Sequence, residues 1–168
     1  PPGASGSKDS SVHWRVLARI VAAAPEAESS KDMKKMKSWL AANHFDPNNP
    51  SKTAFLRGLS VTPLAEAARQ GNLHLCQLLF RNGAQNDINK ASRDRQWTPM
   101  MFACVGGHLI VAKWLFSVGA HSSVSVADMD GCTPFFWACR EGHIHIVEWL
   151  FSTAGAQCDL QRANSAGR

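Results

Sequence analysis

Apolar residues fall in paired runs along the last two thirds of the chain. PLAEAARQ, PMMFACVG and PFFWACRE are short runs opened by proline, and after a glycine each leads to a longer one: NLHLCQLLFRN, HLIVAKWLFSV and HIHIVEWLFSTA. The longer runs place apolar residues on more than one side of a helix, so neither member of a pair can bury its surface alone and stacked neighbours must cover it. Markers recur in phase with this pattern. Thr-Pro stands at Thr62-Pro63, Thr98-Pro99 and Thr133-Pro134, spaced 36 and 35 residues apart. A glycine follows each (Gly71, Gly107, Gly142), and Gly-Ala closes each unit at Gly83-Ala84, Gly119-Ala120 and Gly155-Ala156. Threonine is a good N-cap, and proline at the first helical position gives up a donor that would have no partner. The middle glycine lets the chain reverse, and the glycine of Gly-Ala suits a left-handed helix end.

This arrangement resembles the ankyrin repeat, whose pattern runs TPLHxA, a Gly-His turn, a second helix, then Gly-Ala leading into a β-hairpin. The resemblance covers residues 61–168, with repeats at about 61–93, 97–129 and 132–164. It implies an all-α solenoid of stacked antiparallel helix pairs with projecting β-hairpin loops. Three departures stand out. The histidine of TPLH is replaced by Ala65, Met101 and Phe136, so its usual hydrogen bonds are absent or replaced. The connections from Ala84 to Thr98 and from Ala120 to Thr133 are longer than the family's usual ones, which predicts enlarged or bulged hairpins. Repeat three carries one extra residue before Gly155, predicting an altered turn there.

Towards the N-terminus the pattern fades. VHWRVLARIVAAA at 12–24 has helical spacing, Ser30 caps a second helical segment, and SWLAANHFDPN parallels KWLFSVGAHSS at 113–123, with Trp39 beside Trp114. Residues 12–60 read as a degenerate first repeat acting as an N-terminal cap, with an independent helical hairpin as the alternative. The opening PPGASGSKDSS reads as a disordered linker or cloning remnant over 1–11. The closing NSAGR aligns with DMDGC, which precedes Thr133-Pro134, so the array is expected to be truncated before a further repeat. That would leave an uncapped C-terminal face through which an otherwise monomeric chain self-associates.

Charge changes this picture little. The net charge of +5 is concentrated in residues 1–60, which carry +4 against +1 for the rest. Lys31, Lys34, Lys35 and Lys37 read as the solvated face of a helix, with a nucleic-acid or anionic-membrane patch as the weaker alternatives. The five cysteines lie mostly in apolar helical stretches without a CxxC pair, which favours a reducing compartment over a disulfide scaffold. No apolar run approaches the length of a membrane span and no signal peptide is visible. The expected location is intracellular, in the cytoplasm or nucleus.

The richest chemistry is TPFFWACREGHIHIVEWLF, which holds Cys139, Glu141, His143 and His145. Cys139 and His143 match Cys104 and His108 in repeat two, but Ala68 and Asn72 in repeat one. A site shared by Ala and Cys is a packing site. His143 and His145 are roughly 200° apart around a helix and cannot face one ion together. Zinc-ligand spacing, phosphate-binding glycine motifs and a nucleophile elbow are all missing from the sequence. No cofactor, metal or catalytic role is expected.

The resemblance instead implies a partner protein bound on a concave face, either by a free-standing scaffold or by a regulatory array within a larger enzyme or channel. Carried over, the family's variable positions are Val61, Asp94, Arg95 and Trp97 on the hairpins, then Met129, Asp130 and Cys132. At the ends of the first helices they are Arg69, Gln70, Val105, Arg140 and Glu141. Trp97 is the leading anchor, since Trp beside Arg is typical of interface hot spots; the alternative is that it folds back onto its own hairpin. Phe102 and Trp137 read as core, and Trp114 and Trp149 as inter-helix packing. Arg69 and Arg140 are either solvated or positioned for an acidic segment.

Overall fold

The computed structural model describes residues 30–153, and within them every Thr-Pro marker starts a helix. α1 (Ser30–Ala42) is followed by a hairpin of β1 (Ala54–Leu56) and β2 (Leu59–Val61). Three helix pairs follow: α2 (Pro63–Arg69) with α3 (Leu73–Arg81), α4 (Pro99–Val105) with α5 (Leu109–Ser117), and α6 (Pro134–Arg140) with α7 (Ile144–Thr153). Thr62, Thr98 and Thr133 have extended backbones, and their hydroxyls accept hydrogen bonds from the amides of Ala65, Met101 and Phe136 at 3.2–3.3 Å. These are the three positions where the family pattern has histidine, so the cap is made without it.

The helix ends follow from the glycines. Gly71, Gly107 and Gly142 have φ of +70°, +75° and +76°, a region open to glycine at little cost. The residue after each donates its amide back to the helix just ended, as in Asn72 to Ala67 and His108 to Ala103. The same geometry closes α3 and α5, where Ala84 reaches Leu79 and Ala120 reaches Leu115.

The first helices α2, α4 and α6 pack side by side in one layer, and the second helices α3, α5 and α7 form the other. α1 lies against α3, as α3 lies against α5. The seam is fully buried at Leu64, Ala68, Leu79, Met100, Cys104, Leu115 and Leu150. In the second layer aromatic edges meet from repeat to repeat, Phe80 on Trp114 at 5.7 Å and Phe116 on Trp149 at 5.7 Å. Trp114 and Trp149 are therefore packing residues, as their register predicts.

Among the described residues strand pairing is confined to β1 and β2, ahead of repeat one, in the register Ala54↔Val61, Phe55↔Ser60 and Leu56↔Leu59. The longer connections take up their additional residues as 3₁₀ turns at Gln85–Asp87 and Ser122–Val124, each followed by a tight loop just before the next Thr-Pro. The expectations for residues 1–11 and 12–29, for the turn at Gly155-Ala156 and for the chain end lie outside the described residues.

Candidate functional site

The first-helix layer and the loops preceding it make one continuous face. Short loops hold it because they are tied to one another. The Ser60 amide on β2 donates to Asp94 Oδ2 at 2.6 Å, and the Met129 amide donates to the carbonyl of Arg95 at 3.2 Å. Each loop, or finger, thus grips the next.

Asp128 is the centre of this face, and sequence reasoning missed it. It is only 7% exposed, and its two carboxylate oxygens accept four hydrogen bonds. Oδ1 takes the amides of Asp130 at 3.0 Å and Cys132 at 2.8 Å. Oδ2 takes the indole N–H of Trp97 at 3.1 Å and of Trp137 at 2.9 Å. A buried carboxylate is tolerable only when its lone pairs are used in this way. Two signals pointed to it: Asp two residues before another Asp and a Gly, an Asx-turn pattern, and two nearby tryptophans whose indole N–H groups need an acceptor once covered.

This geometry corrects the reading of Trp97. The ring is half-buried, folded onto the neighbouring finger, edge-on to Phe102 at 5.3 Å and to Trp137 at 4.9 Å. It is a strut between repeats two and three, held within the face by Asp128. Its counterparts Val61 and Cys132 are 3% and 4% exposed, so this position faces inward in all three repeats. Asp94 is exposed, yet its carboxylate is committed to Ser60. Phe102 and Trp137 are buried, as expected of core residues.

Repeat one differs. Glu66 stands where Phe102 and Trp137 stand, is 5% exposed, and receives Arg69 Nε at 2.8 Å, Arg69 Nη2 at 2.6 Å and Gln70 Nε2 at 2.8 Å. Burial alone would raise its pKa, but the Arg69 and Gln70 hydrogen bonds, with the Arg69 charge, outweigh burial and hold the carboxyl below its ordinary value. Gln70 in turn accepts from Trp39 Nε1 at 3.1 Å and donates to Asn43, joining α1 to the turn. Arg69 and Gln70 are thus bound into a network, and Arg69 is half-buried.

The histidines staple neighbouring repeats. His108 Nε2 donates to the Arg69 carbonyl at 3.0 Å and His143 Nε2 to the Val105 carbonyl at 2.9 Å, which requires the proton on Nε2. The His108 ring lies where a Cβ on Gly71 or Gly106 would be, and the His143 ring where one on Gly107 would be. Cys139 is exposed, while His145 is exposed beside Glu148. Among the described residues no group of three or more His, Cys, Asp or Glu could hold a metal ion. Burial pushes the thiols of Cys76 and Cys104 up to about 12, far from a reactive thiolate.

Of the residues singled out by sequence, Met129, Asp130, Arg95, Gln70, Arg140 and Glu141 are exposed and Val105 is half-buried. Arg140 lies over the Trp137 ring at 4.8 Å, and Phe136 packs edge-on to the same ring while staying partly open. On α1 the four lysines are exposed while Met36 and Leu40 are buried, which makes them the solvated side of a packed helix. No helix among the described residues is long and apolar enough to cross a membrane.

Comparison with known proteins agrees with this architecture. A family model described as ankyrin repeats (3 copies) matches residues 23–125 and 64–162. The chain is 33% identical over 86 residues to ankyrin repeat and SAM domain-containing protein 6 of Rattus norvegicus, covering 51% of this chain and 10% of that protein. It is 36% identical over 70 residues to protein phosphatase 1 regulatory subunit 27 of Homo sapiens, covering 42% of this chain and 44% of that one. The Mus musculus protein of the same name matches equally. The match therefore spans less than half of each of these relatives.

Proposed function

The chain belongs to the ankyrin-repeat family, and from that premise we propose that it binds a partner protein through the face built by its first helices and fingers. The observation that carries this reading is the pairing of a rigid floor with an open rim. Asp128 locks two indoles beneath the surface, while Met129 at 64% exposure, Arg140 and the open edge of Phe136 stand above them. Side chains held before binding lose little entropy on association, and an arginine on an aromatic platform is a frequent energetic centre of interfaces. The role is read as one of recognition, in keeping with the ankyrin repeats that the family model matches.

A photo-crosslinking residue at Met129, compared with one at Ile110 on the second-helix side, tests the choice of face. Crosslinks to a cellular protein from position 129, lost on Arg140→Glu, agree with it. Crosslinks from 110 alone would move the site to the other side.

A second reading has the array regulating a catalytic subunit, favoured by the 36% identity to protein phosphatase 1 regulatory subunit 27. Binding of purified protein phosphatase 1 catalytic subunit, measured with and without Arg140→Glu, decides it.

A further inference from the structure

A cleft of about 100 Å³ opens between the first two fingers and the start of α2. Val61, Ala65, Trp97 and Phe102 floor it, and Lys90 and Arg93 stand at its edge. One small side chain in its wall differs between repeats. Residue 65 is alanine, whereas its counterpart Met101 fills the same place in repeat two and is fully buried, and Phe136 occupies it in repeat three. The space that a longer residue would occupy is left open, walled by two aromatic rings.

The volume limits the ligand. Small-molecule sites span roughly 300–1,000 Å³, so this cleft is too small for a metabolite and suits one aliphatic side chain. Charge sets the rest. Arg93 lines the cleft, and Arg57 and Arg95 are exposed elsewhere on the same two fingers; none forms an ion pair within 4 Å of a described residue, although the Arg57 charge is felt at Glu66. Lys90 is neutralised by Asp87 at 3.1 Å, and Asp94 is the exposed carboxylate of the second finger, held by Ser60. The surroundings of the cleft are therefore cationic, and a chain lying across the fingers gains by being acidic.

We propose that this cleft seats one leucine- or valine-sized side chain of an acidic linear peptide. The proposal rests on the reading of this face as a recognition surface and names where a partner's first anchor enters it.

The test is amide NMR of the full chain with a synthetic peptide carrying one leucine in a frame of glutamates and aspartates. Controls are the same frame with glycine and a lysine frame with leucine. The leucine peptide is expected to shift Ser60, Val61, Ala65 and Ser92, and the glycine peptide to bind about tenfold more weakly. Ala65→Met, which adds at that position the residue repeat two uses, and Arg93→Glu, which alters only the cleft's edge, should each weaken binding about tenfold, and Arg93→Glu should leave the melting temperature unchanged. Should Ala65→Met unfold the chain, Arg93→Glu and the glycine peptide still decide. No shift at those four amides, or equal affinity for the leucine and glycine peptides, overturns the proposal. Shifts confined to Met129 and Arg140 also overturn it but leave the reading of the face standing. Shifts only on α3 and α5 would overturn both.

Discussion

Repeats one and two begin on the same Thr-Pro cap and end on the same left-handed glycine, yet Glu66 and Phe102 solve the same position in opposite ways. In repeat one a buried carboxylate is answered by Arg69 and Gln70 from its own helix. In repeats two and three the aromatic pair is Phe102 and Trp137, and Trp97 joins them, edge-on to Phe102 in its own repeat and, across the repeats, to Trp137 and the Asp128 carboxylate. The polar solution is local and joins the repeat to α1. The aromatic solution is long-range and couples its neighbours. Substitutions on this face of repeat one should therefore stay local, while those in repeats two and three should loosen more than one repeat.

The largest effect should come from Trp137→Ala, which removes a buried ring, frees one lone pair of Asp128 and takes away the platform under Arg140. A loss of about 3–5 kcal/mol is expected in urea unfolding, with broader amide exchange in both repeats two and three. A cost confined to repeat three would break the comparison. Asp128→Ala comes next, at about 3 kcal/mol, since two indole and two backbone donors lose their acceptor. Its signature is a change in the near-ultraviolet circular dichroism of tryptophan even under conditions where the chain stays folded. A cost below about 1 kcal/mol would show that water replaces the carboxylate freely.

Smaller effects belong to repeat one. A double-mutant cycle of Glu66→Leu and Arg69→Leu should give a coupling of about 1 kcal/mol, at the low end for ion pairs because Arg69 is partly open to solvent. The double variant should be more stable than Glu66→Leu alone, which leaves the half-buried Arg69 guanidinium without its partner. The smallest is a pH effect. The folded pKa of Glu66 lies below its unfolded value of about 4.3, so its contribution is complete above that value and lost as pH falls through the folded pKa. Between pH 5 and 3, in units set by that reference of about 4.3, the urea midpoint of the wild type should fall more steeply than that of Glu66→Gln. Parallel curves would mean that Glu66 is solvated like a surface acid.

Much of the architecture is legible along the chain, because it depends on interactions within a few residues of each other. Thr-Pro caps its own helix, glycine alone takes φ near +70° cheaply, and the apolar runs demand neighbours on both sides. The reading of Cys104, Phe102, Trp114 and Trp149 as packing follows from register, and all four are buried. The site is less legible. Trp97, Val61 and Cys132 share a position that sequence places at the tip of a finger, and only the fold shows that the backbone turns those side chains inward. Asp128 looks like one loop acid among several until two indoles, one 31 residues before it and one 9 after, converge on a single oxygen.

The division has a physical cause. Caps, turns and helical periods are decided by short-range sterics and by hydrogen bonds that residues make with near neighbours, so their information is local and repeats with the sequence. Which side chain is open, which carboxylate is saturated and where a cleft opens depend on what the next repeat places against it. Many of those answers arise between repeats, as in Ser60 to Asp94 and Trp97 to Asp128, where only the stacked structure brings the partners together.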